Sequence, residues 1–273
     1  MKKLFAFFLL GLFAAGCNEN DIVKMENGIN YMEDTLGTGA LADSGDFVSV
    51  HFKGWIVKDS TDLFADWSAD STRLASTIGS SKDFGQPVKY KLGTGAFIKG
   101  IDAGIVGMKV GGTRTIIIPS ELAYGKEGMG PVPPNSDMKV VIELLEANEP
   151  IKVDRWEVDS TKFQTTASGL KYVILQNGTG ENADSGRTVT VHYTGYFENG
   201  KIFDSSVERN EPITFVLGQG MVIPGWEEGI ALLKKGGKAQ LVIPPALAYG
   251  SMQRGEIPAN STLIFDVELV DVK

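Results

Sequence analysis

Residues 188–197, TVTVHYTGYF, alternate apolar and polar, with Val189, Val191 and Tyr193 on one face. That period of two predicts a half-buried strand. ITFVLG (213–218), AQLVIP (239–244) and TLIFDVELV (262–270) predict further strands, each bounded by turn residues. Between them the period changes. Trp226, Ile230 and Leu233 fall at i, i+4 and i+7, predicting a helix from Trp226 to Lys235 with one apolar face. Glu227 and Glu228 near its start and Lys234 and Lys235 near its end suit the helix dipole, and Gly236 and Gly237 offer a cap. One short helix against several antiparallel strands predicts an α+β unit with the helix on one face of the sheet.

The pattern is written twice. Residues 28–54 and 169–195 align at an offset of 141, with 13 of 27 positions identical. Residues 100–124 and 225–249 align at an offset of 125, with 11 of 25 identical. The first copy therefore carries 16 extra residues between Gly54 and Gly100. A period this long means two folded domains, not a solenoid. The extra stretch, rich in Ser, Asp and Thr, reads as a surface loop at about 58–85. Asp66, Ser68 and Asp70 alternate as a calcium loop does, but Ser71 and Thr77 stand where such a loop needs glycine and glutamate. Residues 148–168 read as a linker, with a short helix from Asp154 to Phe163 and Trp156 docked on one domain.

The first residues, MKKLFAFFLLGLFAAGC, form a different kind of segment. Lys2 and Lys3 precede 12 apolar or small residues, too few to span a bilayer but suited to a signal peptide. The only cysteine, Cys17, follows Ala14, Ala15 and Gly16, an arrangement that resembles the lipobox of bacterial lipoproteins. The resemblance implies a signal peptide over 1–16, lipidation of Cys17 and a solvated tether over 17–27. It places the protein in a bacterial cell envelope, held to the outer membrane by acyl chains.

Composition removes other classes. A net charge of -8 disfavours nucleic acid as a partner. One cysteine excludes an internal disulfide, and two histidines leave little for a zinc site or a histidine-based triad. His51 and His192 repeat at equivalent strand positions, which points to a structural role.

VHYTG, FDSS, VIPGWEEG, PPALAYG and the closing LIFDVEL strand closely resemble the FKBP family of peptidyl-prolyl cis-trans isomerases. The likeness runs from about Gly169 to the C-terminus. It implies two FKBP-like domains, 28–147 and 169–273, each a twisted antiparallel sheet of five or six strands wrapped around one short helix. It also implies an apolar pocket between sheet and helix in the second. Tyr193, Phe203 and Phe265 would be its walls and Trp226 its floor. Val222 and Ile223 would lead into the helix, the backbone amide of Ile223 donating to a ligand. Asp204 would be the pocket's carboxylate, Tyr249 would place a hydroxyl over the mouth, and Ile257 would lie on a flap. The expected activity is rotation of X–Pro bonds in exported or unfolded polypeptides, with Asp204, Tyr249, Phe203 and Trp226 central. It needs no cofactor or metal and is open to macrolide inhibitors. Two positions depart from the family. Ile213 replaces a wall aromatic and Glu256 an apolar flap residue. They keep open a second reading, a peptide- or protein-binding module with little turnover.

The first copy is expected to be unequal. Ile98, Tyr124 and Val132 match the second, and Phe64, Ala65 and Asp66 are aligned with the Phe203–Asp204 region. Phe52 replaces the wall tyrosine, Val140 the wall phenylalanine, Ile101 the floor tryptophan and Phe97 the valine before the helix. These exchanges keep apolar volume and remove polar groups, predicting a folded but weak or inactive isomerase that still binds unfolded segments.

Overall fold

The computed structural model describes residues 21–57 and 74–273. The leader, Cys17 and the residues Phe64, Ala65 and Asp66 lie outside the described residues. The chain divides into two compact units, one up to Glu149 and one from Pro150.

In the first unit the strands are β1 (Ile22–Lys24), β2 (Asn30–Thr35), β3 (Phe47–Val57), β4 (Leu74–Ser80), β5 (Val88–Lys91), β6 (Thr113–Ile118) and β7 (Met138–Asn148). They form a seven-stranded sheet in the order β1-β2-β6-β7-β3-β4, with β5 also paired to β3. The second unit has β8 (Gln164–Thr165), β9 (Lys171–Gln176), β10 (Thr188–Tyr196), β11 (Ile202–Ser205), β12 (Ile213–Val216), β13 (Lys238–Ile243) and β14 (Leu263–Val272). Its order is β11-β10-β14-β13-β9-β8, with β12 paired to β10. All the pairings are antiparallel. Among the described residues each unit has one α-helix, α1 (Lys99–Ile105) or α2 (Pro224–Ala231). The α+β expectation holds, with seven strands instead of five or six. The short β1 and β8 add an edge to each sheet, so part of the stretch read as a tether is an edge strand.

The helices lie close on their sheets because glycine faces the strand. A Cβ on Gly225 or Gly229 would stand 2.5 Å from Ile243 or Leu241, and one on Gly100 or Gly104 would collide with Ile118 or Ile116. Glycine in a helix interior costs about 1 kcal/mol relative to alanine. Here it sets the depth of the site, since Trp226 sits between the two glycines of α2.

Three local expectations need correction. The second helix is Pro224–Ala231, not Trp226–Lys235. Pro224 supplies a helical φ at the first turn and starts it early. It stops at the Leu232 cap, because Lys234 bridges to Asn182 and the Lys235 N–H donates to Glu181. Lys235 pairs with Asp271 at 2.6 Å, away from the helix end. The buried positions Trp226, Ile230 and Leu233 are as the period predicted. Residues 154–163 are not helical apart from a single 3-10 turn at Ser160–Lys162. Instead the Trp156 N–H donates to the Asp266 carboxylate at 2.9 Å, and Gln240 donates to the same carboxylate at 2.7 Å. Trp156 thus docks on the second unit by its backbone, with Lys238 over its ring. Finally, the stretch read as an inserted loop contains β4, which pairs with β3.

Candidate functional site

The second unit's strands deliver its aromatic side chains to one place. Tyr193 comes from β10, Phe203 from β11, Phe265 from β14 and Trp226 from α2. Trp226 is 3% exposed. Its ring stands edge-on to Tyr193 at 5.0 Å and to Phe265 at 5.3 Å. Phe203 meets Phe265 edge-on at 5.5 Å. Edge-to-face rings within 4.5–7 Å gain roughly 0.5–1.5 kcal/mol beyond their burial. Ile257 is buried in the same apolar cluster, with Ile213, Val222, Ile223 and Tyr249 partly buried against it. Nine of the ten pocket residues expected from the sequence therefore share one cluster.

The tenth, Asp204, joins by hydrogen bonding. Its carboxylate accepts from the Tyr193 hydroxyl and, at 2.6 Å, from Arg209. Arg209 also donates to the Tyr193 oxygen at 2.8 Å and to the Ser205 carbonyl at 2.7 Å. Burial pushes the Tyr193 hydroxyl up to about 12, the hydrogen bond to Asp204 and its charge add to this, and Arg209 opposes it. The phenol stays neutral, a donor at ordinary pH. Arg209 was not picked out from the sequence. It lies five residues beyond Asp204 in a turn, where no periodicity marks it; only the opposite charge nearby was a signal. Phe215, 6.2 Å from the Trp226 ring, was missed for the opposite reason, because it reads as ordinary core.

The approach to the helix is fixed as well. Ile223 caps α2 with extended backbone, and its carbonyl accepts from the Trp226 and Glu227 N–H groups. The Ile223 N–H itself meets no acceptor among the described residues. The Glu227 carboxylate accepts from the Gly218 N–H and, at 2.9 Å, from the Gly220 N–H, which pins the loop before α2. No group of three or more potential metal ligands occurs among the described residues.

The first unit shows what has changed. His192 bonds Ser206 at 3.1 Å, and His51 bonds Ser81 at 2.9 Å. The two histidines hold the same hairpin in each copy, as their repetition suggested. These bonds also fix the alignment across the extra residues. Gly54 pairs with Gly79 where Gly195 pairs with Asp204. Gly79 therefore stands at the carboxylate position and Ile78 at that of Phe203. The sequence alignment through Phe64, Ala65 and Asp66 is overturned, because the extra residues precede Thr77 in the hairpin. By the same offset Phe84 replaces Arg209 and Tyr90 replaces Phe215. Val50, Phe52, Tyr90, Phe97 and Ile101 line an apolar hollow in this unit.

Comparison with known proteins agrees with both copies. The family model described as FKBP-type peptidyl-prolyl cis-trans isomerase matches residues 39–145 and 179–270. A probable FKBP-type peptidyl-prolyl cis-trans isomerase of Haemophilus influenzae is 58% identical over 110 residues, covering 40% of this chain and 45% of that protein. The peptidyl-prolyl cis-trans isomerase FKBP10 of Homo sapiens is 32% identical over 233 residues, 85% of this chain and 35% of that one. The crystal structure of FkpA from Escherichia coli shares 50% identity over 42% of this chain and 53% of that chain, with a TM-score of 0.40. The chain spans less than half the length of the curated relatives cited.

Proposed function

Because the chain belongs to the FKBP-type peptidyl-prolyl cis-trans isomerase family, we propose that its second unit rotates X–Pro bonds in unfolded polypeptides and that its first unit binds such segments with little turnover. The observation that carries this reading is the ring cluster of Tyr193, Trp226, Phe265 and Phe203 beside the Asp204–Arg209 pair.

Amide rotation faces a barrier of about 18–20 kcal/mol, set by partial double-bond character of C–N. That character weakens when the amide leaves water for an apolar cavity, so the aromatic box acts on the barrier without forming any bond. The proline ring suits the Trp226 floor. Contacts made only to the twisted amide raise the rate, whereas contacts equal in both states do not. The Ile223 N–H supplies a donor for a substrate carbonyl. Tyr249 at the mouth and the neutral Tyr193 phenol supply polar orientation, and Asp204 with Arg209 holds Tyr193 in place. No proton transfer is required. The same pocket suits macrolides that fill it in place of a prolyl ring.

Lys2, Lys3, the short apolar run and Cys17 after Ala14, Ala15 and Gly16 support a lipid anchor at Cys17, with exported proteins in the bacterial envelope as clients and the outer membrane as the site of attachment. No helix among the described residues is long and apolar enough to cross a membrane.

The test is turnover of a proline-containing peptide by the full chain. Placing the first unit's residues in the second, as Tyr193→Phe, Asp204→Gly and Arg209→Phe together, is expected to lower kcat/KM at least tenfold, about 1.4 kcal/mol of transition-state stabilisation. Full activity in that variant, or none in the unaltered chain, overturns the assignment.

A further inference from the structure

The flap of the second unit carries a charge that the pocket chemistry does not use. Arg254 and Ile257 exchange both backbone hydrogen bonds at 2.9 Å, closing a tight turn over Gly255 and Glu256. The turn ties Arg254 to Ile257, which is buried in the pocket cluster. The Arg254 guanidinium lies over the Tyr249 ring, 5.8 Å from its centre. Two other cations of this unit are paired with carboxylates. Lys201 meets Glu256 at 2.9 Å, and Arg209 meets Asp204 at 2.6 Å. Arg254 has no carboxylate partner among the described residues. The flap therefore carries a cation with no carboxylate partner among the described residues, on a chain whose net charge is -8.

Resting on the isomerase reading of this pocket, we propose that Arg254 is a specificity-determining residue that favours prolyl segments with an acidic residue beside the proline and disfavours basic ones. A substrate bound over Trp226 must pass the Tyr249 edge and the flap. A carboxylate there gains a partner, while an ammonium is repelled. Arg254 is exposed, so the effect is modest and sensitive to salt. The first unit supplies the control. Met129 occupies the equivalent position and forms the same turn with Val132, by bonds of 2.9 and 3.0 Å, without a charge. Methionine is thus compatible with the flap.

The experiment uses the full chain and three peptides that differ only in Glu, Leu or Lys before the proline, with a second set varied after it. At low ionic strength kcat/KM is expected to favour Glu over Lys by about three- to tenfold, carried by KM, with Leu between. In 1 M salt the preference shrinks below about twofold as screening shortens to about 3 Å. Arg254→Met brings Glu and Lys within about twofold by lowering one and raising the other, and Arg254→Lys restores the order. A structural role for Arg254 would instead lower all three peptides together, and that result overturns the proposal. So does an equal Glu-to-Lys ratio in the unaltered chain and Arg254→Met. If no peptide is turned over, the isomerase reading fails separately. Calorimetric binding of the same peptides then decides the charge preference by the same ratios.

Discussion

The two cores place an aromatic ring between the same two walls by different routes. In the second unit Trp226 of α2 stands 5.0 Å from Tyr193 and 6.2 Å from Phe215. In the first, α1 offers only Ile101 at that position, yet Phe97 from the preceding loop stands 6.0 Å from Phe52 and 4.8 Å from Tyr90. Phe52 and Tyr90 are the counterparts of Tyr193 and Phe215. The core thus keeps its volume while its ring comes from four residues earlier, with Val222 and Phe97 exchanging size in step. The polar groups behave otherwise. Tyr193, Asp204 and Arg209 become Phe52, Gly79 and Phe84, all three at once. A half-satisfied polar network is worse than an apolar one, so its members tend to be kept or lost together. Phe84 is 82% exposed, where Arg209 is partly buried. Apolar volume is common to both copies; the polar trio stands in one.

The largest effect should come from breaking the ring exchange. Trp226→Ile in the second unit is expected to lower its unfolding free energy by about 3 kcal/mol, near the bottom of the range for large-to-small changes at buried aromatics. Adding Val222→Phe should recover at least about 1 kcal/mol of that loss, because the phenyl ring can take the path Phe97 takes in the first unit. Urea unfolding of the full chain, the two single variants and the double variant gives the coupling. Purely additive losses would mean that the two units fill their floors independently.

This exchange also separates what was legible in the sequence from what was not. Alternation placed Val189, Val191 and Tyr193 on the buried face of β10, and the i, i+4, i+7 spacing placed Trp226, Ile230 and Leu233, because burial imposes those periods directly. The helix end was misread because Lys234 and Lys235 suit a helix dipole as well as they suit the strand-like segment they form. The register of the first hairpin failed for another reason. Phe64, Ala65 and Asp66 imitate the Phe203–Asp204 region by composition, while the anchors are Ser80 and Ser81, repeated as Ser205 and Ser206, with Pro87 repeated as Pro212. Those pairs were present in the sequence at the 125-residue offset. Their meaning appears only with His51 and His192 bonded to the second serine of each pair. The role of Arg209 was hidden because a charge in a turn is usually solvated, and its partners lie on two different strands, β10 and β11.

A smaller effect sharpens the same contrast through two matched glycines. A Cβ on Gly195 would stand 2.5 Å from Phe203 and 2.9 Å from Phe265. A Cβ on Gly54 would meet Ile78 and Val140 at 3.8 Å, ordinary contact. Gly195 thus makes room for aromatic walls, and Gly54 faces aliphatic ones. Gly195→Ala is expected to cost about 1–3 kcal/mol through overpacking and to reduce turnover, since both rings belong to the proposed site. Gly54→Ala should change stability by no more than about 0.5 kcal/mol. Equal costs at the two sites would show that the aromatic walls do not set the need for glycine.

The smallest effect is a difference in pH dependence between the unaltered chain and Tyr193→Phe, the first unit's residue at that wall. The Tyr193 hydroxyl is held near 12, above the ordinary value of 10.0, by burial first and by Asp204 second. An unfolded tyrosine releases its proton near pH 10, so between about pH 10 and 12 the folded state binds more protons than the unfolded one. Stability from this group is therefore fully present below about pH 10 and is lost as pH rises through 12. Tyr196, raised by burial and Asp266, adds a slope of the same sign, which both forms of the protein share. Urea unfolding at pH 9 and pH 11.5 should show the unaltered chain losing more stability than Tyr193→Phe over that interval, while a phenolate absorbance titration loses its group near 12. Equal losses would mean that Tyr193 ionises at its ordinary pH. The phenol would then sit in a wetter pocket than the ring contacts describe, and its hydrogen bond to Asp204 would not distinguish the second wall from the phenylalanine in the first.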